Sequence, residues 1–234
     1  MKYVLVLIPV IMLAGCGDTD MRDLLRLKAV KTVEKTGGDS FAGLLAEAEK
    51  LERSRDAEDS RKLGVLYEKI GMEYTAKSAW DPAIEAFTRA IGRGNASSRV
   101  HYHLGASYAN RGMAGSNETD FRKALEHYHK ALSLDPRSTE TRYGIALTEF
   151  YGLKNTDAGL AAMEEVVKSG KTNTRAAFAL GRMQYEKGNL DQSLKVYQDI
   201  HAYLNTQPAG KLRDQQLADV RENISRVMKE MAER

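Results

Sequence analysis

Apolar residues recur at every third or fourth position along most of the chain after residue 23, with polar residues between them. This spacing puts the apolar side chains on one face of a helix, so it predicts a series of amphipathic α-helices. No segment alternates convincingly between apolar and polar residues, as a half-buried strand would. Two consecutive helical faces illustrate the pattern: Tyr67, Ile70, Gly71 and Tyr74, then Ala83, Phe87 and Ala90.

A set of small and aromatic residues repeats along the chain. Gly71 is followed by Tyr74, Ala83, Phe87 and Ala90; Gly105 by Tyr108, Ala124, Tyr128, Ala131 and Pro136; and Gly181 by Tyr185, Ser193, Tyr197 and Ile200. From Gly71 to Gly105 the period is 34 residues (105 − 71). Glycine and alanine let two helices approach closely, and the aromatic side chains fill the space that remains.

In its period and its residue types, this sequence resembles the tetratricopeptide repeat (TPR), a helix hairpin of 34 residues. The resemblance implies an all-α, right-handed α-solenoid of TPR-type helix hairpins with N- and C-terminal capping helices, with about eight to eleven helices in all. We assign four repeats, at 64–97, 98–138, 139–173 and 174–207. The third repeat is degenerate, and its register could shift by one residue.

Helical patterns also flank the repeats on both sides. Within residues 23–60, Leu24 to Val33 and Phe41 to Leu51 predict two helices, which form either a decayed repeat or an unrelated N-terminal cap. The segment 209–234 predicts a charged helix with one apolar stripe, made of Leu217, Val220, Ile224, Val227 and Met231. Because the last repeat of an array cannot bury its outer face alone, we expect this helix to be the C-terminal cap.

The beginning of the chain resembles a bacterial lipoprotein signal. Lys2 precedes an apolar run of about 12 residues that is too short to span a bilayer. It ends in Leu13-Ala14-Gly15-Cys16, which resembles a lipobox. The resemblance implies that residues 1–15 are removed and that Cys16, the only cysteine, carries a diacylglycerol and an N-acyl lipid. The alternative is a secreted protein that is cut elsewhere.

Several acyl chains would anchor the protein stably, with residues 16–22 as a short tether. We therefore expect a lipid-anchored protein on the bacterial cell membrane or outer membrane, facing the periplasm or the cell exterior. We expect no cofactor apart from the lipids on Cys16. The net charge of +3 falls to +2 without Lys2, and this near-neutrality argues against nucleic acid as a partner.

Two motifs that suggest other chemistry do not hold up. Gly170-Lys171-Thr172 lacks the earlier glycine and the strand of a phosphate-binding loop. His101 and His103, like His127 and His129, are two residues apart, which points their rings to different sides of a helix. A metal site shared between two helices of one hairpin remains open but has no specific signal. No nucleophile and base can be paired, so we predict no catalytic or metal-binding residues and no enzyme activity.

The TPR resemblance also implies which residues line the concave groove of the solenoid. These positions hold an aromatic row with arginines beside it: Tyr102, Tyr143, Phe150, Phe178, Tyr185, Arg99, Arg175 and Arg182. Such a composition is enriched at the energetic centres of protein–protein interfaces. The carboxylate clamp of the family needs lysine and asparagine where Glu68 and Met72 stand, so that ligand is not expected. The alternative is that these aromatic residues pack against neighbouring helices or the C-terminal cap.

Two functions follow from these features. The first is a membrane-anchored scaffold that binds a protein or peptide partner in a bacterial envelope assembly. The alternative is an accessory subunit that handles a small solute, or contacts a substrate-binding protein, next to a transporter. A groove open across several repeats would favour a peptide, whereas a cavity closed by the caps would favour a small solute.

Overall fold

The computed structural model describes residues 39–53, 56–170 and 173–234, and in these ranges every regular element is a helix. The α-helices are α1 (Asp39–Glu52), α2 (Ala57–Ala76), α3 (Trp80–Gly92), α4 (Ser98–Gly115), α5 (Glu118–Leu134), α6 (Thr139–Leu147), α7 (Thr156–Ser169), α8 (Thr174–Glu186), α9 (Leu190–Asn205) and α10 (Lys211–Glu233). A π-helical turn, Thr148–Gly152, directly continues α6. None of the described helices is long and apolar enough to cross a membrane.

The chain divides into two units, Met1–Gly43 and Leu44–Arg234. In the first unit, the described residues are 39–43, which form the first turn of α1. The predicted helix Leu24 to Val33 and the lipidation residue Cys16 lie outside the described residues. The predicted helix Phe41 to Leu51 lies within α1.

Consecutive helices of the second unit pack as hairpins: α2 with α3, α4 with α5, α6 with α7, and α8 with α9. In the first hairpin, Gly64 near the start of α2 lies against Ala90 near the end of α3, whereas Gly71 further along lies against Phe87. The two helices are therefore antiparallel. Helices α3 and α4, α5 and α6, and α7 and α8 join one hairpin to the next, and α10 packs on α9.

Close contact within the hairpins depends on glycine. A Cβ atom placed on Gly71 would lie 2.6 Å from the ring of Phe87, one on Gly105 would lie 2.8 Å from the ring of Tyr128, and one on Gly181 would lie 2.8 Å from Tyr197. The prediction that these three glycines lie at tight helix–helix contacts is confirmed. Each helix pair can approach closely because the aromatic ring of the second helix occupies the place of the missing side chain.

The helix starts follow from short polar side chains. Ser97, Asn117, Ser138 and Asn173 each precede a helix and accept a hydrogen bond from a backbone N–H two or three residues later. These bonds satisfy donors that have no partner within the helix.

Within the second unit, Glu52 at the end of α1 contacts the first hairpin through a polar cluster in which its side chain is buried. The Tyr67 hydroxyl donates to Glu52 at 2.5 Å, and Arg93 forms an ion pair with the same carboxylate. Arg89 donates to the Tyr67 oxygen at 3.1 Å. Since each of these polar groups has a partner, the cluster can be buried without leaving an uncompensated charge.

The π-turn changes which side chains face the core. The Leu153 N–H donates to the Thr148 carbonyl five residues earlier, at 3.0 Å, so the turn holds one residue more than an α-helical turn. Phe150 is consequently buried in a core cluster with Leu160 and Met163. The backbone and Cβ of Phe150 lie against Gly159 of α7, and the half-buried Tyr151 takes the outward position.

Candidate functional site

A cavity of about 610 Å³ lies on one side of the second unit, between α4 and α8 and over α6. Asn223 of α10 also reaches its rim. We name it the aromatic groove and define it by the side chains that give it its character: Tyr102, Tyr143, Tyr151, Phe178, Arg175 and Arg182. Five of these six were predicted groove residues, and the structure brings them together from three helices.

Each wall of the aromatic groove comes from one face of one helix. On α4, Ala106 and Ala109 follow Tyr102 at helical spacing, and their small side chains leave the space open. On α8, Arg175, Phe178 and Arg182 occur at spacings of three and four, so they share one face. Helix α6 contributes Tyr143 and Leu147 between these walls. The groove therefore arises where small residues on one helix face large residues on another.

The two arginines stack on two tyrosines of the neighbouring hairpin. The central guanidinium carbon of Arg175 lies 4.6 Å from the Tyr143 ring centroid, and that of Arg182 lies 5.7 Å from the Tyr151 centroid. A guanidinium over an aromatic face is attracted by the ring and keeps its N–H edge available. Arg182 also pairs with Glu186 at 2.7 Å, whereas no carboxylate partner of Arg175 is found among the described residues.

Two tyrosines form the floor of the groove, and each lies on the second helix of its hairpin: Tyr128 on α5 and Tyr197 on α9. Tyr128 is paired with Tyr102 at 6.0 Å between ring centroids, and Tyr197 with Phe178 at 6.2 Å. Burial raises the pKa of Tyr128, and burial raises the pKa of Tyr197 to about 12. Both tyrosines line the cavity, so their hydroxyls are placed to donate hydrogen bonds to an occupant.

Three predicted groove residues lie elsewhere. Phe150 is a core residue, because the π-turn shifts the register and puts Tyr151 in the groove instead. Tyr185 donates a hydrogen bond to Glu230 of α10 and packs, half-buried, against the core cluster beneath that helix. Arg99 does not line the cavity but forms an ion pair with the buried Glu68. Tyr185 therefore packs against the C-terminal cap, as the alternative interpretation of the aromatic residues predicted.

Sequence reasoning missed Tyr151 and the two floor tyrosines. Tyr128 and Tyr197 fit the repeat pattern as packing residues, and they reach the groove because Gly105, Gly144 and Gly181 leave room for their rings. The degenerate pattern of the third repeat was the sequence feature that could have indicated a changed register at Tyr151.

The structure also pairs two of the histidines. His101 on α4 and His127 on α5 stack with 5.5 Å between ring centroids, and their Nδ1 atoms are 3.3 Å apart. His103 instead stacks on Phe87. In the described part of the chain, no cluster of three or more histidine, cysteine or acidic side chains could hold a metal ion.

Comparisons with known proteins identify the repeats. Models of the tetratricopeptide repeat family match residues 105–138 and 147–203. Crystal structures of TPR proteins share the fold at low sequence identity. MamA matches at 19% identity and a TM-score of 0.54, covering 78% of this chain and 93% of its own. TTC0263, a thermophilic TPR protein of Thermus thermophilus, matches at 18% identity and a TM-score of 0.52, covering 88% of this chain and 96% of its own.

A third structure, YrrB, matches at 20% identity and a TM-score of 0.50, covering 74% of this chain and 89% of its own. No curated protein matched the sequence. The chain thus contains tetratricopeptide repeats, and the residues that the structure describes fold as the predicted all-α solenoid of TPR-type hairpins, with α10 packed on the last hairpin.

Proposed function

We propose that this protein is a membrane-anchored scaffold that binds a protein or peptide partner in the aromatic groove. The observation that carries the proposal is the arrangement of Tyr102, Tyr143 and Phe178, which are half-buried in one cavity beside the exposed Arg175. Tyrosine and arginine are enriched among the residues that contribute most to protein–protein binding. Since hairpin packing fixes these rings, little side-chain freedom would be lost on binding.

A related fold supports the choice of a peptide. YrrB is described as a TPR protein with an unusual peptide-binding site. That statement concerns YrrB, but it is consistent with a groove that extends along several helices of this chain. The partner we propose is a segment of another protein in the bacterial cell envelope.

The anchor in this proposal is the lipid on Cys16. It rests on the order of a positive residue, an apolar run, small residues and cysteine at the start of the sequence. Two or more acyl chains hold a protein on a bilayer, whereas one chain gives only reversible attachment. The proposed location is the bacterial cell membrane or outer membrane, with the solenoid facing the periplasm or the cell exterior.

The test is partner capture by the double variant Tyr102→Ala/Phe178→Ala. We expect proximity labelling in native cells to lose the partners that the wild-type protein labels, while the helical circular dichroism signal is kept. The matched control is Tyr108→Ala, since Tyr108 is half-buried on α4 like Tyr102 but stacks on His127 outside the groove. If the folded double variant labels the same partners as the wild type, the groove is not the binding site.

The second candidate is the binding of a small solute, and the cavity volume favours it. A volume of about 610 Å³ lies within the roughly 300–1,000 Å³ typical of small-molecule sites. In that case, a solute screen by thermal shift should give a ligand whose effect is lost in Tyr102→Ala/Phe178→Ala, and no protein should be labelled through the groove.

A further inference from the structure

The charged side chains that line the aromatic groove are arginines, whereas the carboxylates of Glu140 and Glu186 act on Tyr102 and Tyr151 from outside the lining. The lining contains two arginines, and none of the lining residues that the structure describes is an aspartate or a glutamate. The remaining polar groups of the lining include tyrosine hydroxyls, which can donate hydrogen bonds. Such a surface complements an occupant that carries negative charge together with apolar area.

The two arginines are not equivalent, although both stack on tyrosine. Arg182 already holds the Glu186 carboxylate at 2.7 Å, so a second carboxylate there would meet a like charge. Arg175 lies over Tyr143 and has no carboxylate partner in the described part of the chain. The positive charge available to an occupant is therefore concentrated at the Arg175 end of α8.

We propose that the occupant of the groove is an internal, extended segment of a partner protein in which one aspartate or glutamate side chain binds Arg175 and neighbouring apolar side chains pack on Tyr102 and Phe178. This inference rests on the proposed function and adds the chemistry of the partner to it. A guanidinium can hold one carboxylate through two parallel hydrogen bonds, which fixes the direction of the segment. The attraction between the guanidinium and the Tyr143 ring favours this position of Arg175 before binding, so less freedom is lost in forming these bonds.

The first experiment selects binding segments without assuming a partner. A display library of random ten-residue segments, each flanked on both sides by fixed Gly-Ser linkers, is selected on the purified full chain. We expect the recovered segments to be enriched in aspartate or glutamate next to apolar residues. Selection on Arg175→Gln should lose the acidic enrichment. Selection on the control Arg122→Gln should keep it, since Arg122 is exposed on α5 and pairs with Glu118 away from the groove.

The second experiment measures one recovered segment as a synthetic peptide with both ends blocked, beside the same peptide with its acidic residue replaced by the amide. On the wild-type protein we expect the acidic peptide to bind about tenfold more tightly, by fluorescence anisotropy at low salt. On Arg175→Gln the difference should shrink to less than about threefold, and on Arg182→Gln it should persist.

The outcomes separate this inference from the proposed function. Recovered segments without acidic enrichment, or an acidic preference that survives in Arg175→Gln, would overturn the inference and leave the scaffold proposal standing. Enrichment confined to a parallel library with free C-termini would overturn it in favour of a terminal carboxylate. If no segment is recovered from either library, the peptide-binding function itself fails, and this inference fails with it.

Discussion

The guanidinium of Arg175 on α8 lies over the ring of Tyr143 on α6, with 4.6 Å between its central carbon and the ring centroid. The same relationship recurs two helical turns later between Arg182 and Tyr151. The arginines are seven residues apart, whereas the tyrosines are eight apart. The π-turn absorbs the extra residue, so that both pairs can form across one interface. Single-turn π-helices are frequent at functional sites, and this one places the ring of Tyr151 in the groove.

Replacing Gly105 with leucine should destabilise the protein by about 1–3 kcal/mol, because the new side chain would enter the space of the Tyr128 ring. Urea unfolding followed by circular dichroism measures the change. The control is Gly115→Ala at the end of the same helix, where a Cβ would have no neighbour within 4 Å. An unchanged midpoint and slope for Gly105→Leu would count against the tight contact.

Phe150 and Tyr151 should respond differently to truncation. Phe150→Ala removes a ring from the core between α6 and α7 and should cost about 3–5 kcal/mol of unfolding free energy. Tyr151→Ala removes a half-buried ring from the groove, so its stability loss should be clearly smaller. If Phe150→Ala and Tyr151→Ala lose the same unfolding free energy in chemical denaturation, the register that the π-turn gives to these two residues is wrong.

Acid should destabilise the hairpin of α4 and α5. Burial lowers the pKa of His101, His103 and His127, and the charges of neighbouring groups act as well: His127 and Lys130 lower that of His101, and Lys123 lowers that of His127. Glu126 and Glu68 oppose the shifts of His127 and His103, but the net direction is downward.

Because the unfolded chain then binds protons more readily, unfolding free energy should be highest above about pH 6.5 and should fall as the pH drops below that value. The double variant His101→Gln/His127→Gln should show a weaker fall in urea titrations between about pH 7.5 and pH 5. His129→Gln, at an exposed position of α5, is the control. The idea fails if the wild type and the double variant lose stability in parallel.

Removing the thiol of Cys16 should release the protein from the membrane. In Cys16→Ala, we expect the chain to leave the membrane fraction and to take up no labelled fatty acid, since the thiol is the proposed site of lipid attachment. Cell fractionation and metabolic labelling check both points. A variant that stays in the membrane and still incorporates label would disprove the anchor.

The sequence by itself determined the fold class, because the contacts that define a TPR hairpin are local and periodic. Gly71, Gly105 and Gly181 occur where aromatic rings of the next helix need space, and this pairing could be predicted from spacing alone. The resemblance to the TPR family also implied that Tyr102, Tyr143 and Phe178 lie on the groove side, and they do line the groove.

Only the tertiary structure decided which of those side chains remain available in the groove. Tyr185 is bonded to Glu230 of α10, Arg99 is paired with Glu68, and the π-turn places Tyr151 instead of Phe150 in the groove. The pairing of His101 with His127 was likewise decided by the tertiary structure. Each of these outcomes depends on contacts between residues far apart in the chain or on a local change of helix register, whereas a repeat pattern records only the regular spacing of each helix.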